Sequence, residues 1–213
     1  MGSDIHAFVE VRKFPYGDKE REKGVWINAD KWTVNPDHIF DPTNNPKRFH
    51  VDSKDAIYSK RDYILFNILA DMRPDGKVES ISPPKGLPMD LSEEVQLEAD
   101  CWGEDAHSHS YLSLEELLQY NWDKKVEIHD FVGSKRDAIE KYGEDVECHS
   151  LFDSVDLYGP FDDVFVKVTK TRKETMPAFM ETIEKLKGFV DESNQPFWQI
   201  REEDIRLVFW FDN

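Results

Sequence analysis

The chemically densest stretch of the chain is Trp102-Gly103-Glu104-Asp105-Ala106-His107-Ser108-His109-Ser110-Tyr111, where imidazoles, carboxylates, hydroxyls and aromatic rings occupy consecutive positions. Asp105, His107 and His109 form a D-x-H-x-H run. In an extended backbone His107 and His109 share a face, so the run can offer nitrogen and oxygen ligands to a divalent metal such as zinc or manganese. Near the amino terminus, Asp4 and His6 stand two apart and project together from one side of a strand. Convergence of Asp4 and His6 on Asp105, His107 and His109 would join distant segments into a hydrolytic metal centre. Asp105 or Glu104 would then serve as base for a bound water and His109 as acid. The competing reading is plainer: the pair on the first strand is simply solvated, and the Ser and Asp residues cap the helix after Ser113.

A second constellation is cationic. Arg61, Arg73 and Lys85 lie near the same segments, Gly86 lets backbone approach a ligand closely, and Arg offers a planar fork of donors to phosphate. With Asp4, His6, His107, Ser108, Ser110 and Tyr111 they form a candidate pocket for a nucleotide-like anion. Surface ion pairing within an acidic protein is the alternative role for these cations. No Gly-rich phosphate loop, G-x-S-x-G elbow, C-x-x-C pair or H-E-x-x-H helix is present, which removes the common nucleotidases, serine hydrolases and zinc proteases. The adjacent pair Cys148-His149 carries little weight, because catalytic dyads assemble in space.

These residues need elements to position them. Residues 4 to 13 alternate, with Ile5, Ala7, Val9 and Val11 on a buried side and a polar side opposite, and Val25-Trp26-Ile27 is expected to pair back as a hairpin. Residues 34 to 56, with three prolines, are expected to be irregular. A helix is expected from Arg61 to Met72, capped by Ser59, with Ile64, Leu65, Ile68 and Leu69 at helical spacing. Ser92, Ser113 and Ser134 are read as caps of further helices, the last stopping at Gly143. Residues 125 to 131 and Val164 to Val168 are read as strands. Thr175 is read as the cap of a helix ending at Gly188, and Ile205 to Phe211 as the final strand.

The fold class that follows is α+β, with a mainly antiparallel sheet, several short helices and long loops, in one domain over residues 1–213 with a weak subdivision near 145–160. At 39% hydrophobic and 13% aromatic content the chain can build a sizeable core. Its formal net charge is −17, from 44 Asp and Glu against 27 Lys and Arg, and no basic stripe is visible, so duplex nucleic acid is an unsuitable direct partner. The acidity serves solubility, or it lets an acidic face dock on a basic protein surface in place of nucleic acid. Two cysteines fit a reducing compartment, and no export, myristoylation or membrane-spanning pattern is expected, so the cytosol is the expected location.

The opening Met1-Gly2-Ser3-Asp4-Ile5-His6 with Val9-Glu10 resembles a family of uncharacterised proteins encoded by bacteriophages and bacteria. The later blocks Arg61-Asp62-Tyr63 with Leu65-Phe66, Gly86-Leu87-Pro88 leading to Ser92, and Asp105-Ala106-His107-Ser108 with Ser110-Tyr111-Leu112 resemble it too, over roughly the first 120 residues. Tyr111 stands where tryptophan is more frequent, and Lys85 where arginine is usual. The resemblance implies a phage or prophage accessory protein working in the host cytosol and brings no established activity. The expected function is binding of a host factor or sequestration of a nucleotide-like anion, as in counter-defence. A metal-dependent hydrolase of a phosphate-containing substrate and an acidic nucleic-acid mimic are the alternatives, and an oligomer is compatible with each.

Overall fold

The computed structural model describes residues 2–72, 74, 76, 78–150, 164–191 and 199–212. Its elements in chain order are β1 (Ile5–Lys13), β2 (Val25–Asn28), β3 (Trp32–Val34), α1 (Pro36–Phe40), β4 (Phe49–Val51), α2 (Tyr63–Ala70), α3 (Glu93–Trp102), β5 (Ala106–Ser113), α4 (Leu114–Gln119), β6 (Lys125–Phe131), α5 (Lys135–Tyr142), β7 (Cys148–Ser150), β8 (Val164–Thr171), α6 (Arg172–Thr175), α7 (Pro177–Asp191) and β9 (Ile205–Asp212). The class is α+β and all the strand pairings are antiparallel. The chain divides into two compact units, Met1–Asn121 with Met176–Asn213, and Trp122–Thr175.

The first unit is built on a sheet of order β2-β1-β9-β5. The last strand of the chain thus enters the centre, where all of Ile5 to Val11 pairs with Phe211 to Ile205. Only a strand covered on both faces can be buried throughout, and Ile205 to Phe211 are all buried. One face carries Ile5, Ala7, Val9 and Val11 as their alternation predicts, with Leu207, Phe209 and Phe211 beside them. Helix α2 covers this face, and Leu65, Phe66, Ile68 and Leu69 are essentially inaccessible, with Phe66 4.8 Å from Phe211 between ring centres. Burying each such side chain is worth about 1.5–3 kcal/mol, which is what holds the helix down.

The opposite face of β1, expected to be polar and solvated, is also covered. Phe8, Val208 and Trp210 form a second core with Val95 and Ala99 of α3, flanked by Trp32, Val51, Leu87 and Trp102. Sequence alternation alone cannot reveal this, because the face mixes Phe8 with His6 and Glu10. Glu10 is buried there as one half of an ion pair with Arg206.

Several local expectations are corrected. Within residues 34–56 the chain forms α1 and a β3-β4 hairpin, with Asn35 capping α1 by accepting from the Asp37 N–H. Asp62, not Ser59, caps α2, its Oδ1 accepting from the Ile64 and Leu65 N–H groups at 3.0 and 3.1 Å. Ser92 stands before α3 without a side-chain cap bond, whereas Ser113 and Ser134 both make reciprocal capping boxes. Thr175 ends the separate short helix α6, and α7 runs through Gly188 to Asp191.

In the second unit β8 is the central strand of the sheet β6-β8-β7. Helix α5 packs Ala138 against Val132 and Val166 on one face.

The turn between β2 and β3 contains a buried carboxylate with a consequence for stability. Asp30 Oδ2 accepts from the Val9 N–H at 2.8 Å and from Asn28 Nδ2 at 2.9 Å. Burial, with Glu10 nearby, pushes its pKa up to about 6, against those two hydrogen bonds. A raised carboxyl pKa means that the folded state holds the proton more tightly, so this contribution to stability is fully present below pH 4 and is lost as pH rises through about 6. Relative to Asp30→Asn, the wild type should lose about 3 kcal/mol of unfolding free energy between pH 4 and pH 7. Urea unfolding of both proteins across that range checks it, and parallel pH profiles would refute it.

Candidate functional site

The amino-terminal end of β1, the end of β9 and the start of β5 meet at one edge of the sheet. His6 pairs with Trp210, and Ala106 with Asp212, so β9 stands between the two expected halves of the site. Strands are spaced about 4.8 Å apart, which places β1 and β5 roughly 10 Å from each other. The buried Trp210 indole of β9 lies against both His6 of β1 and His109 of β5, at 5.9 and 5.8 Å between ring centres.

His6 lies with its ring centre 4.1 Å from that of Trp102 and 5.9 Å from that of Trp210. Its Nε2 is 3.2 Å from Asp212 Oδ2, while Asp212 Oδ1 accepts from the Asp4 N–H at 2.9 Å. The carboxylate therefore ties the imidazole to the start of its own strand and fixes its orientation. The Asp4 side chain turns to Arg61, which donates from Nε and Nη2 at 2.9 and 2.7 Å. That fork holds Asp4 below the usual carboxylate range. The two groups are each about half exposed, so solvent screens their attraction.

The histidines lie on strand β5, and a bulge decides where they go. The strand's register against β9 shifts between His107 and Ser110, where Ser108 takes φ 52°. The extra residue puts His107 beside Phe211 and His109 beside Trp210, on opposite faces of the sheet. The expectation that the two histidines share a face is thereby overturned. His107 Nδ1 meets Ser108 Oγ at 3.2 Å, and that hydroxyl donates to the Met72 sulfur. Burial, together with His107, pushes the His109 pKa below its ordinary value.

Lys85, the other described cation of the expected anion pocket, already has partners. Lys85 Nζ binds Glu116 and lies 5.0 Å from the Tyr111 ring centre, while the Lys85 N–H donates to the buried Ser110 hydroxyl. Arg73 lies outside the described residues. Asp105 closes an exposed turn immediately before β5. Among the described residues no three His, Cys, Asp or Glu side chains are grouped to hold a metal ion. The physical reason is visible in each pairing: Asp4 is neutralised by Arg61, His6 is claimed by Asp212, and the bulge splits His107 from His109.

Residues that the sequence reading passed over line a different site. A cavity of about 260 Å³ opens between the β3-β4 hairpin and α3, bounded by Trp32, Pro46, Lys47, Phe49, Glu94, Leu97, Glu98, Asp100 and Cys101. Glu94, Leu97, Glu98 and Cys101 recur at the three- and four-residue spacing that defines one helix face. Val95 and Ala99, on the other face, are buried in the core. Lys47 reaches over to Glu98 in a close ion pair. Phe49 and Leu97 are 46% and 56% exposed, and the chain continues into exposed Val34, Ile39 and Phe40. The helical spacing within α3 was readable from the sequence, but the facing wall was not, because it belongs to a hairpin in a proline-containing segment.

No described helix is long and apolar enough to cross a membrane. No family model, curated protein or solved structure matches the chain.

Proposed function

We propose that this protein is a non-catalytic binding module whose first unit captures a protein segment bearing one large apolar side chain flanked by Lys or Arg. The observation that carries this reading is the cavity between Trp32, Phe49 and Leu97, an apolar hollow with Glu94 and Asp100 at its edge and Glu98 already paired with Lys47. At about 260 Å³ it is smaller than the roughly 300–1,000 Å³ of pockets that enclose cofactors or drug-sized ligands. It suits a single anchoring side chain of the kind that dominates interface energetics. Exposed apolar surface beside it extends the contact, and a net charge of −17 favours and steers a basic partner. A host protein as target and a phage or prophage as source belong to the same proposal, on the resemblance of the amino-terminal blocks.

The pairing of Arg61 with Asp4 and of Lys85 with Glu116 weighs against anion capture at the edge of the main sheet, since a ligand phosphate would first have to displace an internal carboxylate. The test is an array of short peptides with central Trp, Phe or Leu and either Lys/Arg or Glu/Asp flanks, probed with the whole chain. Basic-flanked peptides should bind selectively and lose affinity with added salt. Leu97→Asp should weaken them at least tenfold, as should alkylation of exposed Cys101 by a bulky maleimide. Equal binding of acidic-flanked peptides, or indifference to both changes, would reject the reading.

A further inference from the structure

The β3-β4 hairpin presents one apolar face. Trp32 pairs with Val51 and Val34 with Phe49, and on a two-stranded ribbon opposed residues and residues two apart share a side. Trp32 and Val51 pack against the second core, whereas Val34 and Phe49, at the other end of the same face, are 51% and 46% exposed. Leu97, in the α3 wall of the cavity, is 56% exposed. The apolar surface of the hairpin thus outruns the helix that covers it. The two walls also carry opposite unmatched charges. Exposed Arg48 lies 5.3 Å from the Phe49 ring centre and has no carboxylate partner among the described residues. Exposed Glu94 has no cationic partner among them, and Asp100 meets the neutral Gln96 amide at 2.7 Å. Lys47, by contrast, is already matched to Glu98.

We infer that in the absence of another partner this face docks on the same face of a second copy, each Phe49 closing the mouth of the other copy's cavity and each Arg48 meeting the other copy's Glu94. The inference rests on the reading of the cavity as a capture site and adds its regulation, because a partner must displace the second copy to enter. In a two-fold contact a surface meets itself, so it has to be self-complementary, apolar against apolar and cation against carboxylate. A rotation about an axis at the cavity mouth lays the hairpin wall of one copy on the helix wall of the other, which brings the unmatched cation of each to the unmatched carboxylates of its mate. The chain also contains the kind of segment that the cavity suits, since the half-exposed Phe49 ring directly follows Lys47 and Arg48. A net charge of −17 on each copy opposes association at low ionic strength. At about 0.15 M salt the Debye length is about 8 Å, so charges at the contact outweigh distant ones. The patch is limited, which makes the dimer reversible and lets a partner compete with it.

The experiment is sedimentation equilibrium of the whole chain in about 0.15 M salt, over roughly 1 to 200 μM protein. The mass should rise from that of one chain toward that of two. Arg48→Glu and Glu94→Lys, both at exposed positions, should each raise the dimer Kd about tenfold or more. Combining them in one chain should bring it back near the wild-type value, because the swap re-forms both pairs across the contact. Leu97→Asp should weaken the dimer by about tenfold or more. A basic-flanked peptide that enters the cavity should return the wild type to the mass of one chain. Circular dichroism verifies that the variants fold. A dimer indifferent to these substitutions, one that the charge swap does not rescue, or growth beyond two copies would overturn the inference. A monomer at every concentration that still binds such peptides would overturn the dimer and leave the capture reading standing. A dimer that obeys the charge swap while no peptide binds would sustain the contact and reject the capture reading.

Discussion

Replacing Glu10 with alanine is expected to lower the unfolding free energy by about 3–5 kcal/mol. Glu10 is fully buried on the α3 side of the main sheet, where Oε2 accepts from Arg206 Nε at 2.7 Å and Oε1 accepts from the Ser92 N–H at 2.7 Å. Arg206 is only 5% exposed at its side chain, donates onward to Asp90, and stacks 4.0 Å from the Trp26 ring centre. Alanine leaves that guanidinium buried beside a void, with Asp90, itself largely exposed, as its remaining carboxylate partner. The desolvation already suffered by the cation is then uncompensated, which makes loss of one partner costlier than the pair is worth. The double variant Glu10→Leu with Arg206→Met removes both charges at similar volume and should recover much of the loss. Urea unfolding of the three proteins decides the matter: a loss below about 1 kcal/mol for the single variant would show that the pair is not isolated from water.

The second large effect is expected at Trp210. Its side chain is fully buried on central strand β9 and joins Phe8 at 5.2 Å, His6 at 5.9 Å and His109 at 5.8 Å between ring centres. Truncation to alanine removes the hub of the second core and should cost about 3–5 kcal/mol. Its indole Nε1 is buried without a hydrogen-bond partner among the described residues. Trp210→Phe therefore removes an unsatisfied donor along with part of the ring, and its cost should stay near 1 kcal/mol, well below that of alanine. Thermal unfolding of both variants measures the difference. Equal losses for phenylalanine and alanine would mean that the indole N–H, not ring packing, carries the stabilisation. The imidazole signals of His6 and His109 should shift in both variants, since each ring faces the indole.

The parts of the fold written in local pattern were legible. Alternation in Ile5 to Val11 revealed one face of β1, and the unbroken apolar run from Leu207 to Phe211 marked a strand. Ser113 and Ser134 were legible as caps because each has an acidic residue three positions on, Glu116 and Asp137, which closes the reciprocal hydrogen bonds. Ser59 misled because Asp62 sits nearer the apolar run and is a better acceptor for two N–H groups. The sequence drew attention to Asp4, His6 and Arg61, of which Asp4 and Arg61 pair with each other. It contained no sign of Asp212, the residue that orients His6 from more than two hundred positions away.

From the residues alone came the α+β class, most of the strands and helices, and the net acidity, because each depends on short-range periodicity or on composition. The tertiary structure alone decided that β9 would separate Asp4 and His6 from the β5 histidines, that a one-residue bulge at Ser108 would send His107 and His109 to opposite faces, and that Trp32, Phe49 and Leu97 would enclose a cavity. Each of these outcomes depends on pairing register between remote segments. A slip of one residue turns every side chain of a strand to the other face, and no local pattern records which register a distant strand imposes.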